Sequence, residues 1–353
     1  MAPSVSETTT QIVEQAVNDV GKLNLKDKPI EKGPYPYYFP YFDSNEKFPP
    51  TQVFEHTDPG SRANPSKPNL LGPDVKTNDI SPHIGTEITG VQISQLNHAG
   101  LDELALFTAQ RKLLIFRDQD FKDLSPERQI EIARYFGPIQ RHPTSGNVEG
   151  FPVYRDGDHR RFKEYLGGDR ANKTSWHSDV SYELQPPGTT IFFILDQPPS
   201  GGDTLFLSQV EAYNRLSPEF KKRLEGLRAV HSAVAQAENS RKRGGPVRRE
   251  PVETEHPLVR QHPVTGEKAL YVNQGFTRHI VGYKVEESEY LLKFLYDHIA
   301  KGSDFQVRAT YKPGTVVVWD NRLTCHSAVD DFESVQRRHA VRLTPQAERP
   351  IPA

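Results

Sequence analysis

A mainly β fold, a two-sheet jelly roll with helices packed outside, is what this chain predicts. Three observations point there. Proline and glycine are frequent, at 29 and 24 of 353 residues, which suits short strands joined by turns better than a helical bundle. Runs rich in β-branched and aromatic residues dominate, and few of them alternate as regular βα repeats, so a doubly wound parallel sheet is disfavoured. No glycine-rich phosphate loop follows a strand, which leaves a dinucleotide-binding fold without support.

The elements follow in order. Residues 1–74 read as an N-terminal arm. Its segment KGPYPYYFPYFDSNEKFPP alternates proline with aromatics and cannot form a regular helix. It is expected to run extended with its aromatics against the main domain, or else to meet a partner. Residues 75–353 read as one domain. TEITGVQIS and KLLIFRDQ are strand patterns, with the helical spacing of LDELALFTAQR between them. SPERQIEIARYFG is a capped helix, with Ser125 as N-cap, Pro126 in the first turn and Gly137 as the stop. PVYR and TTIFFIL are strands, and SPEFKKRLEGL is a second helix with the same start at Ser217. ALYVNQ, TVVVWD and HAVRLT complete the strands, and EESEYLLKFLYDHI is a helix between the first two. GGD at Gly201–Asp203 signals a turn. SRKRGGPVRRE, Ser240–Glu250, reads as a solvated basic loop or as part of a mobile lid near 236–252 that closes over an anionic ligand. A nuclear localisation signal is a third reading of that run.

Composition narrows the function. Forty-four basic and 46 acidic residues give a net charge of −2, which offers no general attraction to nucleic acid or an anionic membrane. The one cysteine, Cys325, excludes an internal disulfide and a thiolate-rich metal site. It precedes His326, so in a strand it points the other way and is expected to be an inert buried thiol. The start, MAPSVSETTTQIVEQAV, lacks the basic and apolar regions of a secretory signal. No apolar run approaches the roughly 18 residues of a membrane span. A cytoplasmic protein is expected.

The chemistry concentrates in TSWHSDVSYE. His177 and Asp179 are two apart, so in extended chain they point the same way and can chelate one ion. Two histidines and a carboxylate on one face of an octahedron hold Fe(II) in oxygenases and leave positions open. EHTDPG repeats the spacing with His56 and Asp58, but in the proline-rich arm with no core strand expected beside it. A metal pair needs a rigid surround, and only the pair followed by TTIFFIL is expected to have one. His326, after the strand GTVVVWD, supplies a distant third ligand. In QRRHAVRLT, Arg338 and Arg342 fall on one strand face, where two cations are costly unless anions meet them. Those anions are small ligands or, on the plainer reading, carboxylates of the domain itself. Trp176 and Trp319 are expected as core behind the ligands, and His256, His262, His279 and His339 as structural or solvated.

With FGPIQRHP, WHSD, GGDTLF, VNQGFTRHIV, WDNRLTCHSAVDDF and QRRHAVR in that order, the chain resembles the taurine/sulfonate dioxygenase family of Fe(II)/2-oxoglutarate enzymes over about residues 75–344. The long arm looks like that of the fungal and yeast sulfonate dioxygenases. The resemblance implies a double-stranded β-helix, with Fe(II) held by His177, Asp179 and His326. It implies 2-oxoglutarate as cosubstrate, its distal carboxylate on Thr204 and Arg338, and O₂ as oxidant. It implies a small anionic substrate, sulfonate favoured, held by Arg342, His142 and the backbone at Val180, with Phe276 lining the pocket. The implied reaction hydroxylates the carbon next to a sulfonate and releases sulfite and an aldehyde, with succinate and CO₂ as coproducts, for sulfur acquisition. Lys173 stands where the bacterial enzymes carry asparagine near the amine of taurine, and a lysine there would repel that ammonium group. A different sulfonate is therefore expected. The alternatives are the same chemistry on an alkyl sulfate or carboxylate, and a non-catalytic jelly-roll binding protein. A homo-oligomer is compatible with the sequence.

Overall fold

The run Val316–Asp320 has no polar alternation, so a strand built from it must be covered on both faces. In the computed structural model it is fully buried, as β13, at the middle of a seven-stranded sheet. The structure describes residues 35–38, 46–144, 150–155, 174–242, 244–329, 331–332 and 336–353. Met1–Tyr37 cluster as a separate unit, and Tyr38–Ala353 form the unit that holds the sheets.

The large sheet has the order β1 (Lys76–Asp79), β2 (Thr86–Thr89), β3 (Leu113–Phe116), β13, β5 (Thr189–Asp196), β15 (Arg338–Leu343) and β4 (Phe151–Arg155). All of its pairings are antiparallel except β2 with β3. A three-stranded sheet, β12 (Gln306–Ala309), β6 (Thr204–Ser208) and β14 (Thr324–Ala328), packs against it. Ile115, Phe192, Val317 and Trp319 of the first sheet share one buried cluster with Phe206 and Val307 of the second. This alternation of inward apolar side chains from two sheets is what the strand patterns required. Two smaller sheets are also present among the described residues: β11 (Thr277–Ile280), β7 (Arg228–Ser232) and β8 (Glu253–Pro257), then β10 (Lys268–Leu270), β9 (Val259–Gln261) and β16 (Ile351–Pro352).

The helices pack outside, as expected. Helix Pro126–Arg134 starts on Ser125, whose side chain accepts from the Arg128 amide, and Pro218–Leu224 starts the same way on Ser217. The long helix Val285–Lys301 sets Leu292, Leu295 and Ile299 into a second buried cluster with Trp176, Val272 and Cys325. The ligand strand β14 thus has core on both sides. Among the described residues no helix is long and apolar enough to cross a membrane.

Several local expectations change. ALYVNQ leaves its sheet after Leu270, because Asn273 is recruited instead to Ser181 and to the Phe276 amide. The basic run is not a wholly solvated loop. Arg241 and Lys242 end an exposed helix, but Pro246, Val247 and Arg248 are buried. Arg248 pairs with Glu46 of the arm at 2.7 Å, and Arg249 pairs with buried Glu183. Phe48 lies against the guanidinium groups of Arg141 and Arg248. The arm from Glu46 onward therefore runs along the domain. Residues 39–45 of its aromatic run, like Asn172 and Lys173, lie outside the described residues.

Candidate metal centre and active site

The two candidate histidines are joined through their backbones. The His177 amide donates to the His326 carbonyl at 3.0 Å, and the His326 amide donates back at 2.8 Å. This isolated bridge fixes the two chain segments, 149 residues apart in sequence, in register. Their imidazole centroids are then 4.2 Å apart. Asp179 brings Oδ1 to 3.6 Å from His177 Nε2 and 3.5 Å from His326 Nε2. Among the described residues this is the one His/Cys/Asp/Glu group whose donor atoms converge to within 4.8 Å.

The donors fit an Fe(II) ion. His177 Nδ1 bonds the Ser175 carbonyl at 2.7 Å, which places that ring's proton on Nδ1 and leaves the Nε2 lone pair for a metal. Burial lowers the pKa of both histidines, and of His326 well below the ordinary value, so both are neutral ligands near neutral pH. Asp179 is 2 % exposed, and its Oδ2 is buried with no hydrogen-bond partner, an acceptor that a cation would satisfy. Two neutral imidazoles and a carboxylate form a donor set that suits Fe(II). Phe206 stacks on His326, and Trp319 lies 5.2 Å from it, so the ring cannot swing away. Gly275 lets the loop before β11 approach, since a Cβ there would stand 2.9 Å from the His177 Cβ.

Asp179 is followed by Val180 at φ +38°, a left-handed conformation that is strained for a β-branched residue. The strain is held from the β13–β14 turn. Asn321 Oδ1 accepts from the Asp179 amide at 2.7 Å, and its Nδ2 donates to the Asp179 carbonyl at 3.1 Å.

The two arginines divide. Arg338 donates from Nε to the Gly202 carbonyl at 2.7 Å and lies over the rings of Phe192 and Tyr311. The GGD turn is therefore more than a turn: Gly202, at φ +73°, would place a Cβ 2.9 Å from the Arg338 Cδ. Thr204 is beside it and hydrogen-bonds Tyr311, whose phenol burial pushes to about 12. Arg342 instead reaches Asp179 Oδ1 at 2.6 Å, so its anion in this structure is the domain's own carboxylate, the plainer of the two readings. Its guanidinium also lies 4.6 Å from the Phe151 centroid. The His142 ring packs on the same Phe151 at 4.6 Å. Burial first, and the charge of Arg342 next, lower the His142 pKa to about 3, so it is a neutral ring. The Thr144 amide donates to its Nδ1, which leaves Nε2–H as a donor. Val180 and Phe276 share one buried cluster with Tyr182 and Ala233, and Phe276 meets His177 edge-on.

Arg342 and Phe276 thus touch the triad, Val180 adjoins it in sequence, and His142 shares Phe151 with Arg342, whereas Thr204 and Arg338 form their own group with Gly202, Phe192 and Tyr311. Sequence reasoning missed Asn321, Tyr311 and Phe151, whose only signals are that they lie in or near quoted motifs. It also left Asp58, in the second His-x-Asp, without a role. Asp58 is buried, accepts from the Gly60 amide and pairs at 2.6 Å with Arg322, in the turn that follows β13. Cys325 is buried, with its thiol pushed up to about 12, facing Ser178 and Gln209 and away from the ligand side.

Residues 76–344 match the family described as taurine catabolism dioxygenase TauD, TfdA. The chain belongs to the TauD/TfdA family. As a member it is an alpha-ketoglutarate-dependent dioxygenase that uses Fe(II), 2-oxoglutarate and O₂. It is 49 % identical to an alpha-ketoglutarate-dependent dioxygenase of Penicillium expansum, cnsM, over 90 % of this chain and 91 % of the relative. It is 43 % identical to the alpha-ketoglutarate-dependent sulfonate dioxygenase of Saccharomyces cerevisiae over 96 % of this chain and 84 % of that protein. A putative alpha-ketoglutarate-dependent taurine dioxygenase from Burkholderia xenovorans has the same fold. It superposes with a TM-score of 0.65 at 30 % identity, over 79 % of this chain and 94 % of that one.

Buried neutral histidines give this TauD/TfdA chain a pH-dependent stability. In the unfolded chain a histidine protonates near its ordinary 6.5, whereas the folded state resists until about 3 for His142 and about 4 for His256. Between those values the unfolded state binds more protons, so stability is full above pH 6.5 and falls with pH below it. At pH 5 the loss is on the order of 2 kcal/mol per histidine. Urea midpoints at pH 7.5 and 5.0 check this, and equal midpoints would contradict it.

Proposed function

We propose that the chain hydroxylates the carbon next to the sulfonate of an alkanesulfonate, on a jelly-roll scaffold, and so releases sulfite for sulfur acquisition in the cytoplasm. His177, Asp179 and His326 would hold the iron. With 2-oxoglutarate and O₂ bound, the iron supplies the oxidising chemistry that yields succinate, CO₂ and a hydroxylated C–H.

The protein's residues do the binding and aiming. Arg338 and Thr204 take the distal carboxylate of 2-oxoglutarate, and Tyr311 holds Thr204 while staying neutral. Phe192 and Tyr311 screen that ion pair from water, which strengthens it. Arg342 takes the substrate anion, His142 donates Nε2–H to it, and Phe151 fixes both. Val180 offers backbone, and Phe276 bounds the pocket beside His177. A substrate hydroxylated beside its sulfonate then loses sulfite as its C–S bond breaks, the new C–O(H) becoming the aldehyde carbonyl with loss of its proton.

The observation that carries this reading is the placement of Arg342. Its guanidinium abuts the triad carboxylate, so an anion on Arg342 sits beside the metal face. A sulfonate has three acceptor oxygens and can use Arg342, the His142 donor and a backbone amide together, whereas a carboxylate has two.

The test is product analysis with Fe(II), 2-oxoglutarate and a panel of alkanesulfonates, alkyl sulfates and carboxylates. Sulfite release from at least one sulfonate, strictly dependent on 2-oxoglutarate, is expected, with taurine poorer than a sulfonate lacking the ammonium group. Sulfate release from alkyl sulfates with no sulfite from any sulfonate moves the anion but keeps the chemistry. No succinate from any substrate would leave a binding protein.

A further inference from the structure

Asn321 is 1 % exposed and makes its side-chain bonds around the aspartate of the triad. Its Oδ1 accepts from the Asp179 amide at 2.7 Å, and its Nδ2 donates to the carbonyls of Asp179 at 3.1 Å and Pro187 at 3.3 Å. The amide donor on one side and two carbonyl acceptors on the other fix which atom is oxygen and which is nitrogen. One carboxamide therefore brackets Asp179 from both directions, next to the strained Val180.

Asn321 is itself held by a buried ion network. Arg322 donates to both oxygens of Asp320, at 2.9 and 2.7 Å. Its Nη1 reaches Asp58 at 2.6 Å and Glu348 at 3.0 Å. His262 bonds Asp320 at 3.0 Å, and Arg260 bonds Glu348 at 2.6 Å. The family match spans 76–344, so Asp58 precedes it and Glu348 follows it. The segments on either side of the matched region thus converge on the residue next to Asn321.

We propose that Asn321 is the positioning residue that sets the Asp179 carboxylate for metal binding, and that Asp58 and Glu348 support it through Arg322. This rests on the reading of His177, Asp179 and His326 as metal ligands. Without the bracket, the peptide at Asp179 is free to relax the strain at Val180, and the carboxylate leaves the point on which the two Nε2 atoms converge. The second His-x-Asp of the chain then has a use without binding metal: Asp58 steadies the turn that steadies Asp179.

The test measures Mn(II) affinity of the full chain, without substrate, by the paramagnetic resonance signal of free Mn(II). Gln119→Ala is the control, because Gln119 is also buried and makes three side-chain bonds, to Val91, Arg117 and Ile93, away from the triad. Asn321→Ala is expected to weaken Mn(II) binding about 10- to 100-fold, the range for groups that orient metal ligands. Gln119→Ala is expected to lower thermal stability comparably with Mn(II) binding within about 2-fold of the parent. Asp58→Asn, which keeps the bond to Gly60 and removes one charge from Arg322, is expected to weaken Mn(II) binding in the same direction by less. It serves if Asn321→Ala does not fold. Parent-like binding by a folded Asn321→Ala, or by Asp58→Asn where only that variant folds, overturns the inference while leaving the metal reading in place. So does equal weakening by Gln119→Ala. No Mn(II) binding by the parent chain overturns the metal reading and the inference with it.

Discussion

Asp179→Ala is expected to abolish turnover and to weaken divalent-metal binding by more than about 100-fold, beyond the range for groups that merely orient ligands. Two effects add. The change removes the sole anionic donor of the triad, since the two histidines are held neutral. It also leaves the Arg342 guanidinium, 2.6 Å from the lost oxygen, as an uncompensated cation beside the metal position. A histidine substitution lacks the second effect, so Asp179→Ala should be the more damaging. Mn(II) affinity and succinate formation check this, and retained binding within about 10-fold of the parent would contradict it.

Arg322→Ala is expected to cost about 3–5 kcal/mol, the range for removing one partner of a buried ion pair. Arg322 is 1 % exposed at its side chain and faces Asp320, Asp58 and Glu348. Its charge, together with His262, holds the Asp320 carboxyl well below its usual pKa against the opposing effect of burial. Deleting the guanidinium leaves three carboxylates packed together with Arg260 and His262 as the remaining compensation. For a chain of this size the melting temperature should fall by roughly 5 °C. A thermal melt of Arg322→Ala within about 2 °C of the parent would show that the network contributes little.

Much of the site was legible because its residues are local motifs on predictable strands. His-x-Asp before TTIFFIL, His326 after TVVVWD and two arginines at i and i+4 of one strand require only the two-residue period of extended chain. The strands themselves were legible from composition, since VVVWD and TTIFFIL can only be buried. The helix starts at Ser125 and Ser217 followed from capping chemistry.

What the sequence could not give was the role of Asp58 in the second His-x-Asp. Spacing is blind to what stands opposite in space, and Arg322 lies 264 residues after Asp58. The same blindness put the basic run in solvent, when Arg248 and Arg249 have carboxylate partners in half-buried Glu46 and buried Glu183, far away in sequence. Asn321 was hidden for a further reason. A buried asparagine has no periodic or charge signature, and its role exists only where the β13–β14 turn meets the strained peptide at Asp179.

The sequence by itself therefore determined which residue types share a local strand geometry: a His-x-Asp pair with a distant histidine, and two arginines on one strand face. The tertiary structure alone decided how those residues are held. Long-range ion pairs and carboxamide bonds become favourable only once the fold has removed water from both partners, and nothing in a linear pattern records where that happens.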